Sequence, residues 1–266
     1  QKSSNLAAAY GIAISLTMAV TSLLFYQASR SVWNWPAWKS NLVTGVFVII
    51  DIAFLIANGA KVLHGGWMPL AVAFVIVFIM TTWRWGRERL AKRMEKASIP
   101  AAMLIEDLGR KDIHRVSGTA YYMCGKTGGI PLALLHNLKH NQVLHEHVML
   151  LHVETLDSAH AAEGEKFDMT HLGLGFYLLH LRFGFSETPN VPAALKQHLT
   201  NGIKYEGSKS TFFLGRETYA VGKNLNAWER VRLAIFAWMT RNATPATAYF
   251  SLPPSRVVEL GAQISL

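Results

Sequence analysis

Long apolar runs fill the first third of the chain, then give way to short alternating and helical patterns. Leu6–Tyr26 holds no charged residue across 21 positions. At about 1.5 Å per residue, that run is long enough to cross a hydrocarbon core roughly 30 Å thick. Leu42–Ala60 adds 19 residues with one acid, Asp51, near the middle. Trp67–Trp83 adds 17, with Pro69 near its start, where a missing N–H costs little. The pattern predicts three membrane-spanning helices within residues 1–83. Tyr26, Trp33, Trp35, Trp38, Trp67, Trp83 and Trp85 lie at their ends, where aromatic belts are expected.

Beyond residue 97 the pattern changes to that of a soluble mixed domain. Val116–Cys124 and Val148–Thr155 read as strands from their β-branched, aromatic and apolar content. Pro131–Asn141 between them opens with proline and carries apolar residues at helical spacing, which predicts a βαβ unit. Leu172–Phe185 alternates with interspersed glycines, and Val191–Gly202 reads as a helix with a glycine stop. Ser210–Leu214 and Tyr219–Val221 read as short strands, and Trp228–Arg241 as an amphipathic helix. Tyr249–Leu252 precedes a Pro253-Pro254 break, after which Arg256–Leu260 forms a last strand or helix turn. The fold class expected is a membrane α-helical segment followed by a soluble mixed α+β domain.

Charge sharpens this division. Five charged residues (Lys2, Arg30, Lys39, Asp51, Lys61) lie in residues 1–83, and 38 of the 43 follow. A single soluble globule or a disordered chain does not segregate charge in this way. The net charge of +9 falls largely beside the apolar runs. Residues 1–83 contribute +3, the basic linker 84–96 contributes +4, and the last 170 residues only +2. Nucleic acid is therefore not the expected partner, since binding it calls for a folded basic face. Six basic residues after the third run place that end in the cytoplasm, residues 27–41 inside and residues 61–66 outside. One cysteine, Cys124, cannot form an internal disulfide, which suits a reducing compartment.

Candidate chemistry concentrates in the apolar runs. Asp51 costs about 2.5–3.5 kcal/mol or more if it faces lipid, so it belongs in the bundle interior. Coupling of ion movement and polar glue between helices both suit it. Asn58 and Lys61 follow at seven and ten residues, so one helical face could carry all three. Tyr10, Ser15, Thr17 and Thr21 form a second polar set in the first run. Tyr10 precedes Gly11, where a helix can loosen and bare carbonyl oxygens to an ion.

The soluble part offers weaker signals. His136 and His140 stand four apart on an expected helix, a spacing that can bind zinc, but no H-E-x-x-H pattern accompanies them. Gly125-Lys126-Thr127 lacks the earlier glycine of a phosphate-binding loop, because position 120 is Ala. His171–Phe176 is too short and too poor in polar residues for a dinucleotide fingerprint. No catalytic set, resident cofactor or metal is expected. The chain starts Gln1-Lys2-Ser3-Ser4, without an initiator Met, and reads as a piece of a longer protein.

Several long, ordered motifs then carry a resemblance that spans nearly the whole chain. Asn5–Ala13 (NLAAAYGIA) resembles the tenth membrane helix of the Kup/HAK/KT potassium transporters. Asp51–Asn58 (DIAFLIAN) and His64–Leu70 (HGGWMPL) resemble the eleventh and twelfth. Pro131–Glu146, Gly184–Pro192 (GFSETPNVP), Phe213–Thr218 (FLGRET) and Leu252–Gly261 (LPPSRVVELG) resemble the family's C-terminal domain. The resemblance implies a proton-coupled potassium importer of the cell's inner membrane, not an enzyme. Its core would be a LeuT-like bundle of about twelve helices, of which this chain holds the last three and the cytoplasmic domain. It implies potassium ion, proton and the lipid bilayer as partners. Tyr10 matches a tyrosine at the family's potassium site, while Asp51 and Asn58 match a polar pattern of unassigned role. Residues 97–266 would dimerise or regulate. The rival expectation is a membrane-anchored enzyme or metal-binding sensor using the region of His136 and His140, and a third is a ligand-sensing regulatory module.

Overall fold

The computed structural model describes residues 3–97, 99–125, 129–199, 202–220 and 225–265. They cluster into two compact units, Gln1–Thr82 and Trp83–Leu266. The first unit begins with α1 (Ser3–Ser31) and α2 (Ala37–Gly59), joined by a five-residue turn centred on Trp33 and Trp35. A short 3-10 turn, Val62–His64, leads to α3 (Trp67–Ala97). All three helices are long and apolar enough to cross a membrane. α1 and α2 outrun the expected spans by a turn or more because Arg30 and Trp38 can reach an interface from a continuing helix. α3 runs without a break through residues 84–96, so the basic segment is helical rather than an irregular linker. Its composition (RWGRERLAKRMEK) consists almost entirely of good helix formers.

The second unit interleaves helices with strands. After α4 (Ala101–Gly109) come β1 (His114–Cys124), α5 (Leu132–His140) and β2 (Val143–Leu156). Then follow β3 (Phe167–Gly173), β4 (Phe176–Gly184), α6 (Val191–His198), β5 (Ser210–Ala220), α7 (Ala227–Arg241), α8 (Ala246–Tyr249) and β6 (Val257–Ser265). The sheet order is β3-β4-β2-β1-β5-β6. Every pairing is parallel except β3–β4. Helices alternate with strands rather than standing apart from them, so the mixed domain takes the α/β arrangement, covered on both faces. One face buries Tyr122, Val148, Leu150 and Phe176 against α4 and α5, the latter through Leu134. The other buries Tyr121, Met149, Leu179 and Phe212 against Val191 and Leu195 of α6.

Several local readings change in the folded chain. The expected single segment Leu172–Phe185 is the turn and second strand of a hairpin. Gly173, Leu174 and Gly175 take φ of 101°, 48° and 75°, a left-handed path that glycine makes accessible. Ser210–Leu214 and Tyr219–Val221 merge into β5, because Gly215 stays in register opposite Leu260. Val221 itself lies outside the described residues, as do Lys126 and Thr127 of the rejected phosphate loop. α6 ends at His198, before the expected glycine stop. Arg256 closes a 3-10 turn and β6 follows, so the last segment is a strand.

Candidate functional site

α1 and α2 pack antiparallel along a polar seam. Serines recur on α1 every seven residues, at 15, 22 and 29, and all three are buried. Ala8, one heptad earlier, is buried too. A seven-residue repeat keeps one narrow stripe facing a left-handed partner, and small residues let the two backbones come close. The facing stripe of α2 carries Ser40, Thr44, Asp51 and Asn58, the last three again at heptad spacing.

Three levels of the seam are hydrogen bonded, each in its own way. Ser29 Oγ donates to Ser40 Oγ at 2.9 Å. Ser22 Oγ donates to Asp51 Oδ2 at 2.5 Å, and Asp51 is only 4% exposed. Asn58 Nδ2 donates to Ser15 Oγ at 2.9 Å, while Ser15 Oγ donates to the Gly11 carbonyl at 2.8 Å. Lys61 Nζ reaches Asn58 Oδ1 at 3.3 Å. Thr44 Oγ1 is buried without a hydrogen-bond partner among the described residues.

Gly11 is what admits Asn58. A Cβ built there would stand 2.8 Å from Asn58 Oδ1, closer than real side chains approach. The expected loosening of α1 at this glycine does not occur. The helix is continuous through it, and the Gly11 carbonyl is engaged by Ser15 rather than bared.

The structure therefore divides the expected polar residues into two groups. Asp51, Asn58 and Ser15 lie on the seam, and Lys61, exposed just past the end of α2, reaches only Asn58 among them. Thr17 and Thr21 turn away from it; their hydroxyls donate to the carbonyls of Ala13 and Thr17 at 2.9 and 2.8 Å, one turn back. Tyr10 also points away from α2 and is 69% exposed. It lines a cleft with Ser3, Leu6, Ala7, Ala13 and Pro69. A second cleft, lined by Thr17, Thr21, Phe47, Ser22 and Asp51, gives the buried carboxylate an opening on its α1 side. Sequence reading missed Ser22, Ser29, Ser40 and Thr44. The heptad recurrence of serine on α1 was the signal for three of the seam's levels.

The soluble unit places the histidines differently from a metal centre. His136 and His140 stand edge to face on α5, ring centroids 5.9 Å apart. Among the described residues, no group of three His, Cys, Asp or Glu could hold a metal ion. Burial pushes the Cys124 thiol up to about 12, so it stays protonated at neutral pH. His145 is held below the usual imidazole range by burial. His180 is held down first by burial and then by neighbouring His152 and Arg182.

Comparison with known proteins fits both units. Residues 1–88 match the family model of the K+ potassium transporter integral membrane domain. Residues 117–266 match that of the K+ potassium transporter C-terminal domain. The whole chain is 44% identical to a Myxococcus xanthus protein named as a probable potassium transport system protein Kup. It is likewise 44% identical to an Anaeromyxobacter protein of that name, and 43% identical to a Bradyrhizobium protein named Kup 1. The chain spans 41%, 41% and 43% of these relatives' lengths, respectively.

Proposed function

The chain belongs to the K+ potassium transporter family, and from that premise we propose that it is the closing part of a Kup-type potassium importer. In this reading, α1, α2 and α3 complete a LeuT-like bundle of about twelve helices in the inner membrane. Residues 97–266 form its cytoplasmic domain, through which two copies associate. Potassium enters together with a proton.

The observation that carries the reading is the polar seam within helices otherwise built for lipid. A buried Asp51, hydrogen bonded by Ser22, costs too much in a hydrocarbon setting to serve as filler. Tyr10 offers a phenolic oxygen on the face of α1 that α2 leaves open, where further helices of the bundle would meet it. Potassium must exchange hydration water for protein oxygens, and neutral hydroxyls and carbonyls do this without binding too tightly for release. Ser15 and Asn58 brace α1 one turn from Tyr10. Thr17 stands on the open side with its hydroxyl tied to its own helix. Asp51 lies two turns deeper along the seam, beside the second cleft, and takes the coupling role.

Proton coupling is tested on the full-length protein in proteoliposomes containing a pH-sensitive dye. An inward potassium gradient should acidify the lumen, and Asp51→Asn should weaken that acidification. Potassium entry with no acidification would overturn the coupling.

A further inference from the structure

The chain's positive charge gathers on two helices that pack together within the second unit. Residues 84–96 of α3 and residues 227–241 of α7 hold nine basic against three acidic side chains, +6 of the chain's +9. Their packing is specific. Phe236 is fully buried, with its ring centroid 5.6 Å from that of Trp83, and a Cβ added at Gly86 would run into the ring. Arg232 and Arg89 flank the Trp85 ring at 4.8 and 5.1 Å. Arg89 pairs with Glu229 at 2.8 Å.

These contacts give a direction. Residues 229, 232 and 236 of α7 meet residues 89, 85 and 83 of α3, so the helices run antiparallel. Trp238 and Arg241 continue about 3 and 7.5 Å beyond Phe236, in the direction of the apolar run that closes at Trp83. Trp238 is 60% exposed, on the side of α7 opposite Leu233 and Phe236. Arg241 borders it, with its Nε donating to the Ala237 carbonyl and its guanidinium on the exposed side.

We propose that the last two turns of α7 rest on the bilayer, with Trp238 at headgroup depth and Arg241 on anionic phospholipid headgroups. The inference rests on Trp67–Trp83 spanning a membrane. A tryptophan belongs at the interface because its ring is apolar and its N–H is polar. A basic side chain near an anionic surface favours association by about fivefold, an effect that salt screens. The remaining basic side chains of α3 and α7 add to the same field without each needing its own contact.

The test reconstitutes the full chain at one copy per nanodisc, in phosphatidylglycerol or phosphatidylcholine, each with plain or brominated acyl chains. Subtracting the signal of Trp238→Phe gives the share of tryptophan quenching that Trp238 carries. That share should be clear in phosphatidylglycerol, several-fold smaller in phosphatidylcholine, and reduced several-fold by Arg241→Gln. Equal shares in the two lipids would overturn the anionic selectivity. Quenching of the other tryptophans without Trp238 would leave the spans standing and sink the docking of α7. Quenching of none would remove the span beneath it as well. Burial of Trp238 only when two copies share a disc would assign the face to a second chain instead.

Discussion

Ser22 donates a hydrogen bond of 2.5 Å to Asp51, and the pair closes the middle of the α1–α2 seam. Removing the donor leaves a buried carboxyl group with one partner fewer, which costs about 1–3 kcal/mol in a protein interior. Hydrogen bonds between membrane helices average less, about 0.6 kcal/mol with a ceiling near 1.7. Ser22→Ala should therefore destabilise the chain in detergent by about 1 kcal/mol. In Ser22→Ala with Asp51→Leu the loss should fall short of the sum of the two single losses. Additive losses, read by denaturant titration, would show that the two side chains do not interact.

Gly11 and Gly45 make a matched pair of tests. A side chain at Gly11 meets Asn58, whereas nothing lies within 4 Å of the position a Cβ would take at Gly45. Gly11→Ala should push α1 from α2 and loosen the Asn58–Ser15 bond, at about 1–3 kcal/mol. Gly45→Ala should be neutral, or gain up to about 1 kcal/mol from helix propensity. Thermal unfolding of both variants checks the contrast.

Phe236 anchors α7 to the start of the second unit. Its replacement by alanine should cost about 3–5 kcal/mol there, as for other large buried aromatics. Protease susceptibility within residues 84–97 and 227–241 should rise together in Phe236→Ala. The six-stranded sheet, with its own two cores, should hold its amide protection.

The histidines set a pH dependence whose sign follows from burial. His145 and His180 titrate below their unfolded value of 6.5. As pH falls through about 6.5, the unfolded chain takes up protons before the folded one, so stability is lost on acidification and is fully present above that pH. The melting temperature of the second unit should drop between about pH 6.5 and pH 5. His145→Gln with His180→Gln should flatten that slope. An unchanged slope would place the titration elsewhere.

Much of this architecture was legible because it rests on strong, local signals. Apolar runs of 17–21 residues with at most one charge leave few alternatives to a spanning helix, and Val148–Thr155 flanked by turns announces a buried strand. The hairpin at Gly173–Gly175 was harder, since β3 mixes exposed and half-buried positions and shows no clean alternation. α4 has a clear apolar face, but it follows directly on a basic helix that masks its start. The seam was only half visible. Asp51 and Asn58 stand out as polar residues in apolar helices, whereas serines are ordinary there, and only their spacing marks them. Which residues of α1 face α2 depends on helix phase, and Tyr10 and Ser15 part company on that ground.

The proposed ion site is tested most directly by uptake of radiolabelled rubidium, a potassium stand-in, in cells whose own potassium importers have been removed. The full-length protein with Tyr10→Phe keeps the ring and loses only the phenolic oxygen. Uptake should fall by tenfold or more, about 1.4 kcal/mol or greater in transport free energy, while Tyr26→Phe at the far end of α1 should transport as the unaltered protein does. Unaltered uptake by Tyr10→Phe would contradict the assignment of potassium to that face of α1.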